Sequence, residues 1–235
     1  MKTRAAPACR IREGRGPALL FLPGYASDMA GTKACALDQW AAREGRAMIR
    51  FDYGGCGESK GAFEEQTLDS WFGDALRMID AAEGPLILVG SSMGGWLMLL
   101  AAIVRPDRIS ALVGIAAAPD FTDWGYSKAE KTIIRTQGRL EQPSPYGDAP
   151  TLTTRAFWES GESAKLLGDE IAIDCPVRLL HGLADAEVPW RNALELVEQL
   201  RSDDVQLTLV KDGDHRLSRD GDIALLIAVI ESLAA

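Results

Sequence analysis

An α/β fold with a mostly parallel, doubly wound sheet is predicted by two observations. Short apolar runs typical of buried strands alternate along the chain with segments whose apolar residues recur at helical spacing. Because this alternation places helices on both faces of a parallel sheet, ligands are expected at the carboxyl ends of its strands. The second observation is Gly-Ser-Ser-Met-Gly at 90–94, which fits G-x-S-x-G and lies between a strand and a helix.

The first part of the chain is predicted to contain three strands and two helices. Residues 8–12 suit an edge strand, and residues 18–22 form an apolar run that ends at a Pro-Gly pair. Residues 32–44 read as a helix and lead to a strand at 47–51. Residues 68–82 carry apolar side chains at helical spacing and are predicted to be the next helix.

The G-x-S-x-G sequence is expected to form a sharp turn with Ser92 at its apex. Residues 86–89 are an apolar run typical of a buried strand, and residues 93–104 form a helix that is apolar on every face. Gly90 and Gly94 suit this turn because side chains at both flanks would not fit. The Ser92 hydroxyl would then be exposed beside the positive end of the helix dipole. A glycine-rich strand-to-helix connection without chemistry is the alternative.

The last part of the chain repeats the alternation. Strands are predicted at 109–116, 177–181 and 205–210, with helices at 190–200 and 223–233. These elements extend the same parallel sheet, so the turns after its last strands reach the edge that holds Ser92.

One long segment, residues 119–173, interrupts the alternation and is predicted to be a helical lid. It contains helical patches at 128–136 and 153–158, separated by a Pro- and Gly-bearing loop at 142–148. Because it leaves and re-enters the sheet near strand ends, it should lie over the Ser92 face, although an excursion that only packs on the sheet is the alternative. The predicted organisation is a core in two parts, 1–118 and 174–235, with the insertion at 119–173.

A serine nucleophile needs a base, and the base needs an acid to orient it. The chain has two histidines, and His215 follows the last predicted strand, where the order Ser, Asp, His requires the base. His181 ends an earlier strand and precedes any late acid. Asp185, after that strand, is the predicted acid. The competing acids are Asp120, Asp123 and Asp214.

Two backbone N–H groups should stabilise the oxyanion, and these are predicted to be Met93 N–H and Tyr25 N–H. A second prediction concerns aromatic residues, which either line an acyl pocket or form the lid's own core. These residues are Trp124, Tyr126, Tyr146, Phe157 and Trp158 of the insertion, with Trp190 after it.

Composition and charge exclude several other classes of function. The 235 residues carry a net charge of −9, which argues against nucleic acid and anionic membrane surfaces as main partners. No apolar run reaches the roughly 18 residues of a membrane span. The basic N-terminus lacks the apolar region of a secretory signal. The four cysteines show no metal-like pairing, so free thiols are expected, and neither a metal nor a cofactor is predicted.

Several longer runs resemble the α/β-hydrolases, and more closely the subfamily of α/β-hydrolase domain-containing protein ten. The runs are Phe-Leu-Pro-Gly-Tyr at 21–25, Gly-Thr-Lys-Ala at 31–34, Ile-Arg-Phe-Asp-Tyr at 49–53, the stretch from Val89 to Leu99, Pro-Val-Arg-Leu-Leu-His-Gly at 176–182, Val-Pro-Trp at 188–190 and Asp-His-Arg at 214–216. The resemblance implies an α/β-hydrolase fold, here with the helical lid predicted above, and a triad of Ser92, Asp185 and His215.

The same resemblance implies a function in acyl transfer. The subfamily is described as a mitochondrial acyl-protein thioesterase, or depalmitoylase, and as an acyl-glucuronide esterase. A serine hydrolase acting on small acyl esters or S-acylated proteins is therefore expected, with a non-catalytic small-ligand receptor of the same fold as the alternative. Residues 120–170 match the subfamily poorly. The short N-terminus favours a bacterial-type cytoplasmic enzyme, or a mitochondrial one if the chain is eukaryotic.

Overall fold

The computed structural model describes residues 5–144, 147 and 149–233, so Tyr146 lies outside the described residues. The elements in chain order are β1 (Cys9–Arg12), β2 (Arg15–Leu22), α1 (Thr32–Glu44), β3 (Arg46–Phe51), α2 (Leu68–Ala81), β4 (Leu86–Ser91), α3 (Met93–Val104), β5 (Ile109–Ile115), α4 (Phe121–Trp124), α5 (Lys128–Gln137), β6 (Arg139–Gln142), β7 (Thr151–Thr154), α6 (Arg155–Glu162), β8 (Val177–Gly182), α7 (Arg191–Gln199), β9 (Val205–Val210) and α8 (Asp220–Leu233). Single 3₁₀ turns occur at Phe63–Glu65 and Pro106–Arg108.

Seven strands form the central sheet in the order β1-β3-β2-β4-β5-β8-β9. Only β1 is antiparallel to its neighbour among these strands, so the predicted mostly parallel, doubly wound sheet is confirmed. The chain runs outward from β2 to β3 and then returns to β4 on the other side of β2. The strand order therefore reverses between β2 and β4, which is where α/β sheets place their ligands.

Each face of the sheet is covered by helices, as the strand–helix alternation predicts. α1 and α8 bury Leu37, Trp40, Leu226 and Ile230 on one face. α2 and α3 cover the opposite face, where Trp71 and Trp96 are fully buried. The all-apolar composition of α3 follows from this position, because the helix packs between the sheet and α2 and nearly all of its residues are buried.

The insertion has a structure that the sequence pattern did not fully predict. Residues 153–158 were expected to be helical, but Thr153 and Thr154 complete β7, and α6 begins only at Arg155. The reason is a hairpin in which β6 pairs with β7, with Leu140 opposite Thr153. Branched threonine side chains suit a strand, and the Thr154 hydroxyl then caps α6 by accepting the Phe157 N–H at 3.1 Å.

All four cysteines are free thiols, as expected. Within the part of the chain that the structure describes, no helix has both the length and the apolar character needed to cross a bilayer.

Candidate active site

Ser92 occupies a strained turn between β4 and α3. Its φ of 54° with ψ of −120° is a backbone conformation that non-glycine residues rarely adopt. Three backbone hydrogen bonds hold it there. The Ser92 N–H donates to the Ile115 carbonyl at 2.9 Å, and the Ser92 carbonyl accepts from Gly95 at 2.9 Å and from Ala118 at 3.1 Å. The strain is therefore imposed by the neighbouring strand and helix.

The glycines around Ser92 are required by close backbone contacts. A Cβ on Gly90 would lie 2.5 Å from the Gly94 carbonyl oxygen, and a Cβ on Gly94 would lie 2.1 Å from the Leu22 carbonyl oxygen. Both distances are far below van der Waals contact. Gly95 is equally restricted, since its Cβ would lie 2.5 Å from the Ala117 Cβ. The sequence pattern identified the first two glycines, but it gave no signal for Gly95.

Ser92, His215 and Asp185 form a continuous hydrogen-bonded chain. The Ser92 Oγ lies 3.1 Å from Nε2 of His215. The other ring nitrogen, Nδ1, lies 2.9 Å from Oδ2 of Asp185. Since an ionised carboxylate only accepts hydrogen bonds, Nδ1 carries the proton and Nε2 is free to accept the serine hydroxyl proton.

The Asp185 carboxylate is completely buried and held by several donors. Its Oδ1 accepts the backbone N–H groups of Glu187 at 2.8 Å and Val188 at 2.9 Å. Burial alone would raise the pKa of Asp185, but hydrogen bonds from His181 and His215, the His215 charge and the Val188 N–H together lower that pKa below its usual range. The acid is therefore ionised at neutral pH.

The competing acids have other partners. Asp120 accepts the backbone N–H groups of Leu166 at 2.8 Å and Leu167 at 2.7 Å inside the insertion. Asp123 contacts the Lys131 ammonium at 2.7 Å, and Asp214 accepts the Leu217 N–H at 2.9 Å. The structure thus brings Asp185, and none of these three, to His215.

The two expected oxyanion donors lie on the segments that flank Ser92. Met93 is the first residue of α3, directly after Ser92. Tyr25 follows Gly24, whose ideal Cβ position is 4.0 Å from the Ser92 Oγ. The buried Asp52 carboxylate holds the end of this loop by accepting the Met29 N–H at 2.7 Å. Both backbone segments therefore lie beside Ser92.

A cavity of about 400 Å³ opens beside Ser92 and His215. Its lining is rich in hydroxyl and charged groups from the loop after β2, the start of α1 and the segment 215–218. Ser144 and Thr151, which flank the tip of the insertion hairpin, complete the rim. The insertion therefore reaches the cavity through its hairpin and not through its helices.

None of the five described candidates for an aromatic pocket lines this cavity, so that pocket stays a prediction. Phe157 and Trp158 are buried, and the Trp158 indole donates to the Thr122 carbonyl at 2.9 Å. Trp124 donates to the Pro119 carbonyl at 2.7 Å, and the Tyr126 hydroxyl lies 2.8 Å from the Thr153 hydroxyl. Trp190 stacks under the Arg191 guanidinium. Trp158 and Tyr126 thus pack within the insertion, whereas Phe157 joins the main core beside Tyr25 and Trp71.

Tyr25 has a side-chain role that the sequence did not reveal. Its hydroxyl donates to the carbonyl of Leu152 in β7, so it connects the loop after β2 to the insertion hairpin. Its ring packs edge-on against Phe63, Trp71 and Phe157. Burial is the main cause that raises the pKa of Tyr25 well above its ordinary value. The phenol is thus a neutral donor over the whole working pH range.

A strained serine between a parallel strand and a buried helix, at the reversal of strand order, defines an α/β-hydrolase site. The model of the prolyl oligopeptidase family matches residues 39–228. The chain belongs to this family, within the α/β-hydrolase superfamily.

Individual proteins and solved structures are also similar to this chain. Human palmitoyl-protein thioesterase ABHD10, mitochondrial, is 42% identical over 226 residues, which cover 94% of this chain and 74% of that protein. The structure of α/β hydrolase domain-containing protein 10 from mouse has a TM-score of 0.91 and 41% identity, covering 99% of this chain and 96% of that chain. A putative hydrolase from Agrobacterium vitis S4 has a TM-score of 0.92 and 41% identity, covering 97% and 93%.

Proposed function

We propose that this α/β-hydrolase is a serine esterase or thioesterase that works through an acyl-enzyme on Ser92. The observation that carries the proposal is the chain from the Ser92 Oγ through the His215 ring to the buried Asp185 carboxylate. The names of the relatives support it, since proteins 42% to 43% identical to this chain are palmitoyl-protein thioesterases.

In the acylation step, the Ser92 Oγ attacks the carbonyl carbon of the substrate while His215 Nε2 accepts the hydroxyl proton. The oxyanion that forms is stabilised by the N–H groups of Met93 and Tyr25. Asp185 holds the imidazole in the tautomer with its proton on Nδ1 and stabilises the imidazolium. When the intermediate collapses, His215 returns the proton to the leaving alcohol or thiol, and the acyl group stays on Ser92 as an ester.

Deacylation repeats these steps with water. His215 removes a proton from the attacking water, the same two N–H groups bind the second oxyanion, and collapse releases the carboxylic acid and regenerates Ser92. No metal or cofactor takes part in this scheme. The buried, ionised Asp185 serves both halves of the cycle.

We propose small acyl esters and S-acylated proteins as the substrate class. Thioesters should react at least as well as oxygen esters, because a thiolate is the better leaving group. The cavity beside Ser92 and His215 offers apolar as well as polar surface, so it can hold an acyl group, and the insertion hairpin lines part of it through Ser144 and Thr151. Cytoplasmic location for a bacterial-type chain stays a prediction, while the ABHD10 relatives are mitochondrial by name.

Labelling with a fluorophosphonate probe tests the proposal, together with hydrolysis of matched oxygen esters and thioesters of the same acyl group. Wild-type protein should be labelled once per chain and should hydrolyse both esters, whereas Ser92→Ala should do neither. A folded wild-type protein that is neither labelled nor active would instead fit the small-ligand receptor.

A further inference from the structure

A second histidine contacts the proposed catalytic acid. His181 lies in β8, and Asp185 follows four residues later in the turn after that strand. The ring is buried, with 1% of its side chain exposed, and its Nε2 lies 3.2 Å from Oδ2 of Asp185. The same Nε2 lies 3.0 Å from the backbone carbonyl oxygen of Val188.

The proton position on His181 follows from these two neighbours. A backbone carbonyl has no hydrogen to donate, and Asp185 is ionised, so both atoms facing Nε2 are acceptors. The ring must therefore carry its proton on Nε2 and share it between the two. This is the opposite tautomer to that of His215, whose proton lies on Nδ1.

Both histidines face the same carboxylate oxygen. Oδ2 of Asp185 accepts the His215 Nδ1–H at 2.9 Å and lies in polar contact with Nε2 of His181 at 3.2 Å. Val188 links the two side chains, because its N–H donates to Oδ1 of Asp185 and its carbonyl accepts from His181. Rotation of the carboxylate away from His215 would break the Val188 N–H bond and separate Oδ2 from His181.

Few charged groups other than the histidines face this acid. Glu187, in the same turn, has its carboxylate 4.0 Å from His215 Nε2. Asp214, beside His215, accepts the Leu217 N–H. Lys33 of α1 donates to the Arg216 carbonyl next to His215. Of the charged or titratable side chains among the described residues, the recorded contacts with the Asp185 carboxylate itself are those of the two histidines.

We propose that His181 is a positioning residue of the acyl-transfer reaction. Its Nε2–H orients the Asp185 carboxylate and partly offsets the negative charge that Asp185 exerts on His215. This inference rests on the proposed function. It assigns His181 an indirect role, since the ring is buried and does not line the cavity beside Ser92.

The direction of the effect can be worked out from the charges. Without the His181 donor, the whole charge of Asp185 acts on the Nδ1–H of His215, so the imidazolium form of His215 persists to higher pH. Because the reaction needs neutral His215, the acid limb of kcat/KM should move to higher pH. Loss of orientation should lower kcat, while KM should change little because His181 does not touch the cavity.

Two substitutions at this position separate positioning from packing. His181→Leu fills a similar volume without a donor, and His181→Gln places an amide N–H near the former Nε2. For His181→Leu we expect kcat to fall about ten- to a hundredfold, since a hydrogen bond to a charged group accounts for a factor of this size. The pH midpoint of the acid limb of the kcat/KM profile should increase by about half to one unit for the same reason. His181→Gln should recover most of both losses.

An experiment on the wild-type protein tests the proton position without any substitution. Long-range ¹H–¹⁵N NMR spectra of the histidine rings at neutral pH should show the His181 proton on Nε2. A proton on Nδ1 would overturn the proposal, and so would a folded His181→Leu variant with wild-type kcat and acid limb. Equal impairment of the Gln and Leu variants would also contradict it, because the donor would then not matter. If His181→Leu does not fold, the NMR result decides.

The two proposals fail in different ways. If the proposed function is wrong, wild-type protein will not be labelled by the fluorophosphonate and the Ser92→Ala substitution will change nothing. If only the role of His181 is wrong, labelling and Ser92-dependent hydrolysis will be intact, and the His181 variants will keep the wild-type acid limb.

Discussion

The turn at Ser92 and the insertion at 119–173 differ in how tightly they are packed. Around the turn, a single added carbon on Gly90, Gly94 or Gly95 would overlap another atom. The insertion packs on the core through Phe121 and Phe157 beside Tyr25, and directed hydrogen bonds also join it to the core, including the Tyr25 hydroxyl to the Leu152 carbonyl and the Asp69 N–H to the Ser160 hydroxyl at 2.9 Å. The conformation of Ser92 is therefore fixed by the backbone of the sheet and α3, while the insertion is attached through side-chain contacts that can vary more freely.

The largest expected effect comes from removing the nucleophile. Ser92→Ala should keep the fold and lower kcat by up to about 10⁶-fold, as in other serine triads. Ser91→Ala is the matched control, since Ser91 precedes the turn at the end of β4 and should cost far less. Measured turnover in which Ser91→Ala is inactive and Ser92→Ala is active would show that the nucleophile has been assigned to the wrong serine.

The next effect concerns the acid. Asp185→Asn should lower kcat about 10³- to 10⁴-fold, because an amide can stabilise the wrong tautomer of the base and carries no charge for the imidazolium. Asp214→Asn, beside His215 but directed at the Leu217 N–H, should cost less than tenfold on the same scale. Equal losses in both variants, measured as kcat/KM at neutral pH, would argue against Asp185 as the acid.

The packing of the turn can be tested through stability. Gly94→Ala forces a Cβ to within 2.1 Å of the Leu22 carbonyl oxygen, so it should lower the free energy of unfolding by about 3 kcal/mol or more. Gly73→Ala in α2 has no atom within 4 Å of the new Cβ and should instead stabilise by about 0.5–1 kcal/mol. Urea denaturation that shows similar small changes for both would mean that the turn is not as rigid as the contacts indicate.

The contrast in packing also explains what the sequence could predict. α1, α3 and β9 have the predicted bounds, because each is specified by its own apolar pattern and flanking turn residues. The G-x-S-x-G pattern carries a steric signal that is local in sequence, so Ser92 and the flanking glycines were recognisable. The order of strands then places His215 and Asp185 at the same edge.

The insertion was less predictable because its structure depends on non-local pairing. The threonines of the run at 151–154 favour a strand, but four residues form one only because Arg139–Gln142 lies beside them. The contact of His181 with Asp185 also requires the turn between them to be known, although the four-residue spacing after a strand end is a signal that could have suggested it. The aromatic residues of the insertion were visible, but their composition could not distinguish a pocket from local packing.

A smaller effect is expected where the insertion meets the core. Tyr25→Phe removes the hydroxyl that binds the Leu152 carbonyl but keeps the backbone N–H beside Ser92. Loss of this hydrogen bond should weaken the attachment of the hairpin to the core by about 1 kcal/mol. We expect KM to rise about fivefold as a result, with kcat nearly unchanged. Tyr126→Phe breaks a hydroxyl contact with Thr153 inside the insertion and should change stability by a similar amount without changing KM. If Tyr126→Phe raises KM and Tyr25→Phe does not, the hairpin is held by the insertion's own core and not by Tyr25.

The smallest effects should appear in the dependence on acyl-chain length, where the insertion's influence on substrate range is tested directly. Each methylene that becomes buried should add about 0.8 kcal/mol, or roughly fourfold in kcat/KM, until the site is full, after which activity should fall sharply. Thr151→Leu adds side-chain volume where the hairpin lines the cavity and should shift the preferred chain length. Thr32→Leu makes the same change at the start of α1, which also lines the cavity, and should leave the preferred length unchanged.

The measurement is kcat/KM for a series of matched oxygen esters and thioesters with each variant. A profile that is flat in chain length, or activity confined to emulsified long-chain lipid, would contradict a bounded acyl site next to Ser92. If Thr32→Leu changes the preferred length and Thr151→Leu does not, the core wall selects the acyl chain. Substrate range would then be fixed by the same tightly packed region as the chemistry, and the insertion would be a packing element.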